Sequence, residues 1–183
     1  KEGLVGDNFN TAQTLDKLPG KHAIGHVRYS TTGDSKLENI QPLFANLAAG
    51  GFACAHNGNL TNTNSLRKEL IQTGSIFQTT SDTEVILQLV ARSKKIKIID
   101  KIQDALSKIQ GAYSLVIMTN KKLIGIKDPY GIRPLVLGKK DNGYVLASET
   151  CAFDIIGATY IRDIKNGEMA VITQEGIQSI QLF

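Results

Sequence analysis

The sequence predicts an α+β fold built on antiparallel sheet. Three observations carry this. A middle block of helical periodicity lies between two strand-like blocks, the apolar spacing switches to a period of two after Gly111, and the later strands are joined by turn residues rather than helices. In chain order, segment 23–29 reads as a short strand running into a polar, turn-rich stretch. Segment 52–56 reads as a buried strand, followed by the turn signal Asn57-Gly58-Asn59. Segment 62–73 has helical character and stops at Gly74, a suitable C-cap. Ser81-x-x-Glu84 has the form of a capping box, and Val85, Ile86, Leu89 and Val90 follow on one helical face. A third helix is expected over about 100–109, ending at Gly111. Strands then follow at 113–118, 123–127, 135–137 and 144–147. They are separated by Asn120-Lys121, Asp128-Pro129-Tyr130-Gly131 and Asp141-Asn142-Gly143. A last hairpin, 169–173 with 177–180, turns at Glu175-Gly176.

Composition narrows the function classes. The chain has 183 residues, a length for one domain with a sizeable core. Hydrophobic residues make up 42% and charged residues 21%, so disorder as the main state is excluded. The longest apolar run, 47–55, is about half a bilayer span, so no transmembrane helix is expected. No basic start followed by an apolar core is visible, so no signal peptide is expected either. Two cysteines, Cys54 and Cys151, exclude a disulfide scaffold and a four-cysteine metal site. Both read as small buried hydrophobes in a reducing cytosol. Much of the +4 net charge sits in Arg92, Lys94, Lys95, Lys97, Lys101 and Lys108. That stretch has no aromatic residue for base stacking, and its isoleucines and leucine recur at helical spacing. It reads as a solvated helix face, and neither nucleic acid nor membrane is expected as a partner.

The most unusual segment is 39–66, which has no Asp, Glu, Lys or Arg and six asparagines. One reading is a buried strand flanked by turns. The other is a neutral site wall whose amide donors and backbone N–H groups suit a developing oxyanion. Asn57-Gly58 fits both: an ordinary turn, or a side-chain N–H beside a glycine N–H that a ligand can approach closely. Arg28 precedes Tyr29-Ser30-Thr31-Thr32-Gly33. It could pair with a structural acid, or hold a ligand carboxylate in a bidentate fork with threonine hydroxyls beside it. Asp82 follows Ser81 at a helix start, where the helix dipole alone accounts for an acid; a second use would be to receive an ammonium group. His26 and His56 border the same region without a metal partner at useful spacing, so no metal site is expected.

The motifs occur in a recognisable order: Gly25-His26-Val27-Arg28-Tyr29-Ser30-Thr31-Thr32-Gly33, Gln41-Pro42, Ala55-His56-Asn57-Gly58-Asn59-Leu60-Thr61-Asn62 and Thr80-Ser81-Asp82-Thr83-Glu84. This order resembles the glutaminase domain of class II glutamine amidotransferases. Gly111-Ala112-Tyr113, Asp128-Pro129-Tyr130-Gly131-Ile132-Arg133-Pro134-Leu135-Val136-Leu137-Gly138 and Ala147-Ser148-Glu149-Thr150 extend the resemblance over nearly the whole chain. The wording around Arg28 and Arg133 is most similar to the amidophosphoribosyltransferase branch. Glucosamine-6-phosphate synthase and asparagine synthetase are weaker matches.

The resemblance implies an N-terminal-nucleophile hydrolase fold, an αββα sandwich of two antiparallel sheets between helical layers, here lacking its first strand region. It implies that Arg28 and Thr31 bind the α-carboxylate of L-glutamine, that Asp82 takes the α-ammonium, and that Asn57 and Gly58 form the oxyanion hole. It implies a loop from Arg28 to about Ile40 that closes over glutamine. In this family the nucleophile is a cysteine at the mature N-terminus. Residue 1 here is lysine, and segment 1–9 is similar to one a few dozen residues inside the family domain. Residues 1–183 are therefore expected to be a fragment of the glutaminase domain, truncated at both ends and inactive alone. The resemblance further implies ammonia transfer to phosphoribosyl pyrophosphate, the first step of de novo purine synthesis, in a cytoplasmic homo-oligomer. The phosphoribosyltransferase domain, with magnesium, and any iron–sulfur ligands would lie outside this chain. The rival expectations are another class II amidotransferase and a non-catalytic amino-acid-binding domain.

Overall fold

A computed structural model of the chain describes residues 4–27 and 37–183. Two short helices, α1 (Val5–Asn8) and α2 (Ala12–Leu15), open it. Segment 23–27 carries no strand, in contrast to the strand expected over 23–29; Ile24 packs on apolar side chains while His26 turns to a side-chain partner on the sheet. A 3-10 turn, Leu37–Asn39, leads into β1 (Leu43–Leu47) and β2 (Gly50–Leu60). Three helices follow, α3 (Thr63–Gln72), α4 (Thr83–Arg92) and α5 (Ile98–Leu106). Then come β3 (Gly111–Thr119), β4 (Leu123–Lys127), β5 (Val136–Lys140), β6 (Gly143–Ala147), α6 (Cys151–Ile156), β7 (Thr159–Asp163), β8 (Glu168–Thr173) and β9 (Gly176–Gln181).

The strands form two sheets, one ordered β1-β2-β3-β4-β8-β9 and the other β6-β5-β7, with every pairing antiparallel. Period-two alternation sends successive side chains of the larger sheet into two different cores. Tyr113, Leu115, Ile117, Ile124, Ile126, Met169 and Val171 face the helices, where Ile86, Leu89, Val90, Ile102 and Leu106 meet them. Val116, Leu123, Ala170 and Ile172 face the opposite way and pack on Leu135, Leu137 and Leu146 near or within the smaller sheet. Helix α4 is buried on nearly all sides, which accounts for its near-continuous apolar run. Phe153 of α6 lies against Gly138, where a Cβ would come within 2.9 Å of its ring. Because Gly138 points away from the face that Leu137 presents to the larger sheet, α6 covers the outside of the smaller one. The layers run helices, sheet, sheet, helix.

The α+β class with two antiparallel sheets agrees with expectation. Strands β1 and β7 and helix α6 were not anticipated. Two readings are corrected. Asn57-Gly58-Asn59 is not a turn but the interior of β2, paired with Ser114, Tyr113 and Ala112 of β3. Gly58 adopts φ 143°, and a Cβ there would sit 2.0 Å from the Ala112 carbonyl oxygen, so only glycine fits this ladder position. Cys151 is exposed at the start of α6 rather than buried, whereas Cys54 is fully buried and its thiol is pushed up to about 12 by burial and by the charge of Asp82.

Candidate active site

A cleft of about 640 Å³ opens beside the C-terminal half of β2, lined by His26, Gln41, Asn57, Gly58, Asp82 and Arg133 among others. Each wall has a local cause. Asp82 stands at the entrance of α4, on a segment tied down from several directions. Arg67 donates to the Thr79 carbonyl and lies 4.0 Å over the Phe77 ring. Glu84 accepts from the N–H groups of Gln78 at 2.8 Å and Thr79 at 2.7 Å. It therefore reaches further back than the capping box predicted, while Ser81 Oγ takes the N–H of Thr83. Buried Asn39 accepts from the Thr80 N–H at 3.0 Å and donates to the Thr80 hydroxyl at 2.8 Å.

Asp82 accepts the Leu60 N–H at 2.9 Å through Oδ2, and its Oδ1 lies 3.5 Å from His56 Nδ1. Burial disfavours its ionised form, but the bonds from His56, the Leu60 N–H and the Thr83 N–H outweigh that and hold its carboxyl below the usual carboxylate range. His56 lies beneath the cleft. Its Nδ1 is 3.2 Å from Thr83 Oγ1, and its Nε2 is buried with no hydrogen-bond partner among the described residues. Gln41 brackets the His56 peptide, accepting its N–H at 2.7 Å.

Asn57 is held at both ends of its amide. His26 Nε2 donates to Oδ1 at 2.9 Å, and Nδ2 donates to Ser148 Oγ at 3.0 Å. Of the residues singled out from sequence, Asn57, Gly58 and Asp82 thus share one cleft, with His26 and His56 beside them. Arg28 and Thr31 lie outside the described residues. Gln41 and Ser148 had no role assigned from sequence; both fall in quoted motifs, but their partners are 15 and 91 residues away, so no local spacing points to them. Among the described residues no group of three or more His, Cys, Asp or Glu could hold a metal ion, and no helix is long and apolar enough to cross a membrane.

A polar cleft beside an inner strand, walled by an asparagine-glycine pair and an ionised aspartate, offers N–H donors to a developing negative charge and a carboxylate to a cation. A family profile described as "Glutamine amidotransferase domain" matches residues 26–154, which include every described wall of that cleft named above. The chain belongs to the glutamine amidotransferase family. The amidophosphoribosyltransferase of Rhizobium etli is 54% identical over 169 residues, covering 92% of this chain and 34% of that protein. Chloroplastic amidophosphoribosyltransferase 1 of Arabidopsis thaliana is 53% identical over 178 residues, covering 97% and 31%. A solved structure described as the allosteric regulatory enzyme of purine biosynthesis superposes on this amidotransferase domain with a TM-score of 0.94 at 47% identity, covering 99% of this chain and 39% of that one. The chain spans about a third of the length of the curated relatives it matches. Its layered sheets and helices are those of an N-terminal-nucleophile hydrolase.

Proposed function

We propose that this chain is the glutamine-hydrolysing part of an amidophosphoribosyltransferase, releasing ammonia that converts phosphoribosyl pyrophosphate to phosphoribosylamine in the cytoplasm. The observation that carries the reading is that Asn57, Gly58 and Asp82 share one cleft in a chain about half identical to named amidophosphoribosyltransferases. Asp82, already ionised and partly open to the cleft, receives the α-ammonium of glutamine. Arg28 and Thr31 take the α-carboxylate. The side-chain amide carbonyl then lies toward Asn57 Nδ2 and the Gly58 N–H. A thiol gives up its proton and attacks that carbon, and the oxygen takes up the negative charge against the two donors. On collapse the thiol's proton goes to the amide nitrogen, so that ammonia leaves and the thioester that remains is hydrolysed by water to glutamate and the free thiol. Loss of one such donor lowers turnover by about 10²- to 10³-fold.

Neither cysteine of the chain suits the attack. Cys54 is buried with its thiol pushed up to about 12, and Cys151 lies on α6, beyond the smaller sheet. The thiolate is therefore assigned to a cysteine outside residues 1–183, as are the phosphoribosyl pyrophosphate site and any magnesium that accompanies it. The 183 residues alone are expected not to turn over glutamine. The test is an assay of the full-length encoded protein for phosphoribosylamine made from phosphoribosyl pyrophosphate and glutamine. One glutamate released per phosphoribosylamine is expected. Amination of a different acceptor would assign the domain to another class II amidotransferase, and glutamine binding without hydrolysis would leave an amino-acid-binding role.

A further inference from the structure

We propose that Ser148 is a positioning residue that fixes the oxyanion donor Asn57 from the second sheet; this rests on the reading of Asn57 given above. Ser148 directly follows β6, which among the described residues pairs with β5 alone and forms the edge of the smaller sheet. Asn57 lies in β2 of the larger sheet, 91 residues earlier. The bond of 3.0 Å from Asn57 Nδ2 to Ser148 Oγ therefore links the two sheets at the cleft. Ser148 is exposed, so core packing does not account for its placement. At the other end of the amide, His26 Nε2 donates to Oδ1 at 2.9 Å.

The geometry has a definite consequence. A primary amide carries two N–H groups on its nitrogen. Ser148 takes one, leaving the second for an oxyanion. With His26 alone, the amide has a single tether and can swing about its last side-chain torsion. With both, it has one orientation before charge develops, which is the condition under which a donor stabilises a transition state most strongly. Ser148 touches no reacting atom, so its effect falls on kcat rather than on glutamine affinity.

The experiment uses the full-length protein and initial rates of glutamine hydrolysis. Ser148→Ala is expected to lower kcat about five- to tenfold, the size of one hydrogen bond, and to leave KM for glutamine within about twofold. Ser148→Thr, which keeps the hydroxyl, should retain most of the rate, and its isostere Ser148→Val should lose it. In an Asn57→Ala background, Ser148→Ala should have no further effect, because the residue it positions is gone. Unchanged kcat in Ser148→Ala, equal rates for the Thr and Val variants, or an equal loss in both backgrounds would overturn the proposal while leaving the functional reading intact. Absence of glutamine hydrolysis by the wild-type protein would overturn both.

Discussion

Two acids of this domain, Glu168 and Asp82, are held ionised in opposite circumstances. Glu168, in β8, is completely buried and closed on all sides. Arg162 grips it with two bonds of 2.7 and 2.8 Å, Ser179 donates at 2.6 Å and the Lys165 N–H at 2.7 Å. Burial raises its pKa, but these donors together bring it down to about 2. Asp82 is also held ionised, yet without a guanidinium partner. It bonds the Leu60 and Thr83 N–H groups, its Oδ1 lies 3.5 Å from His56, and its side chain keeps 21% of its surface open to the cleft. A carboxylate whose lone pairs are filled by its own chain fastens the fold. One kept charged with a face open to the cleft is the group to which the proposed function assigns the α-ammonium.

The contrast can be broken from either side. Glu168→Ala should have the largest effect on stability, about 3 kcal/mol, because it removes four hydrogen bonds at once, two from Arg162, one from Ser179 and one from the Lys165 N–H; urea unfolding of the 183-residue chain measures it. The same site controls the acid limb of stability. Glu168 in the folded chain titrates near 2, down from its ordinary 4.5, so its contribution is complete above about pH 5 and fades as pH falls toward 2. A Glu168→Gln variant should flatten the urea-midpoint profile over that window, and an unaltered slope would remove Glu168 from this role. Ser179→Ala, which takes away one of the four donors, should have the smallest effect, about 1 kcal/mol.

The same contrast marks what was legible in the sequence. The helices that cover the site were readable because Leu66 and Leu70 in α3, Ile86, Leu89 and Val90 in α4, and Ile102 and Leu106 in α5 recur at helical spacing. The hairpin strands were readable because their turns carry Asp, Asn and Gly. Asn57-Gly58 was misread as a turn because, taken locally, it is the commonest hairpin signal. Pairing with Tyr113, a distant partner, decides its conformation. Strand β1 escaped because 39–66 is neutral throughout, so its alternation shows only in Leu43, Ala45 and Leu47 turned inward. Strand β7 has an almost wholly exposed pattern, which carries no period to detect. At the site, Asp82 and Asn57 were identifiable by residue type and by family resemblance. The Ser148 and Gln41 contacts were not, because they exist only once the layers have assembled.

The most direct measurement compares two amides. Hydrolysis of glutamine by the full-length protein is set against hydrolysis of glutaramic acid, which has the same amide and carboxylate but no α-ammonium. If Asp82 receives that ammonium, the wild-type protein should favour glutamine by about tenfold or more in kcat/KM, the range of a charge-assisted bond. Asp82→Asn should lose most of that preference while unfolding near the wild-type midpoint. Equal discrimination by wild type and Asp82→Asn would contradict the assignment of this cleft to glutamine.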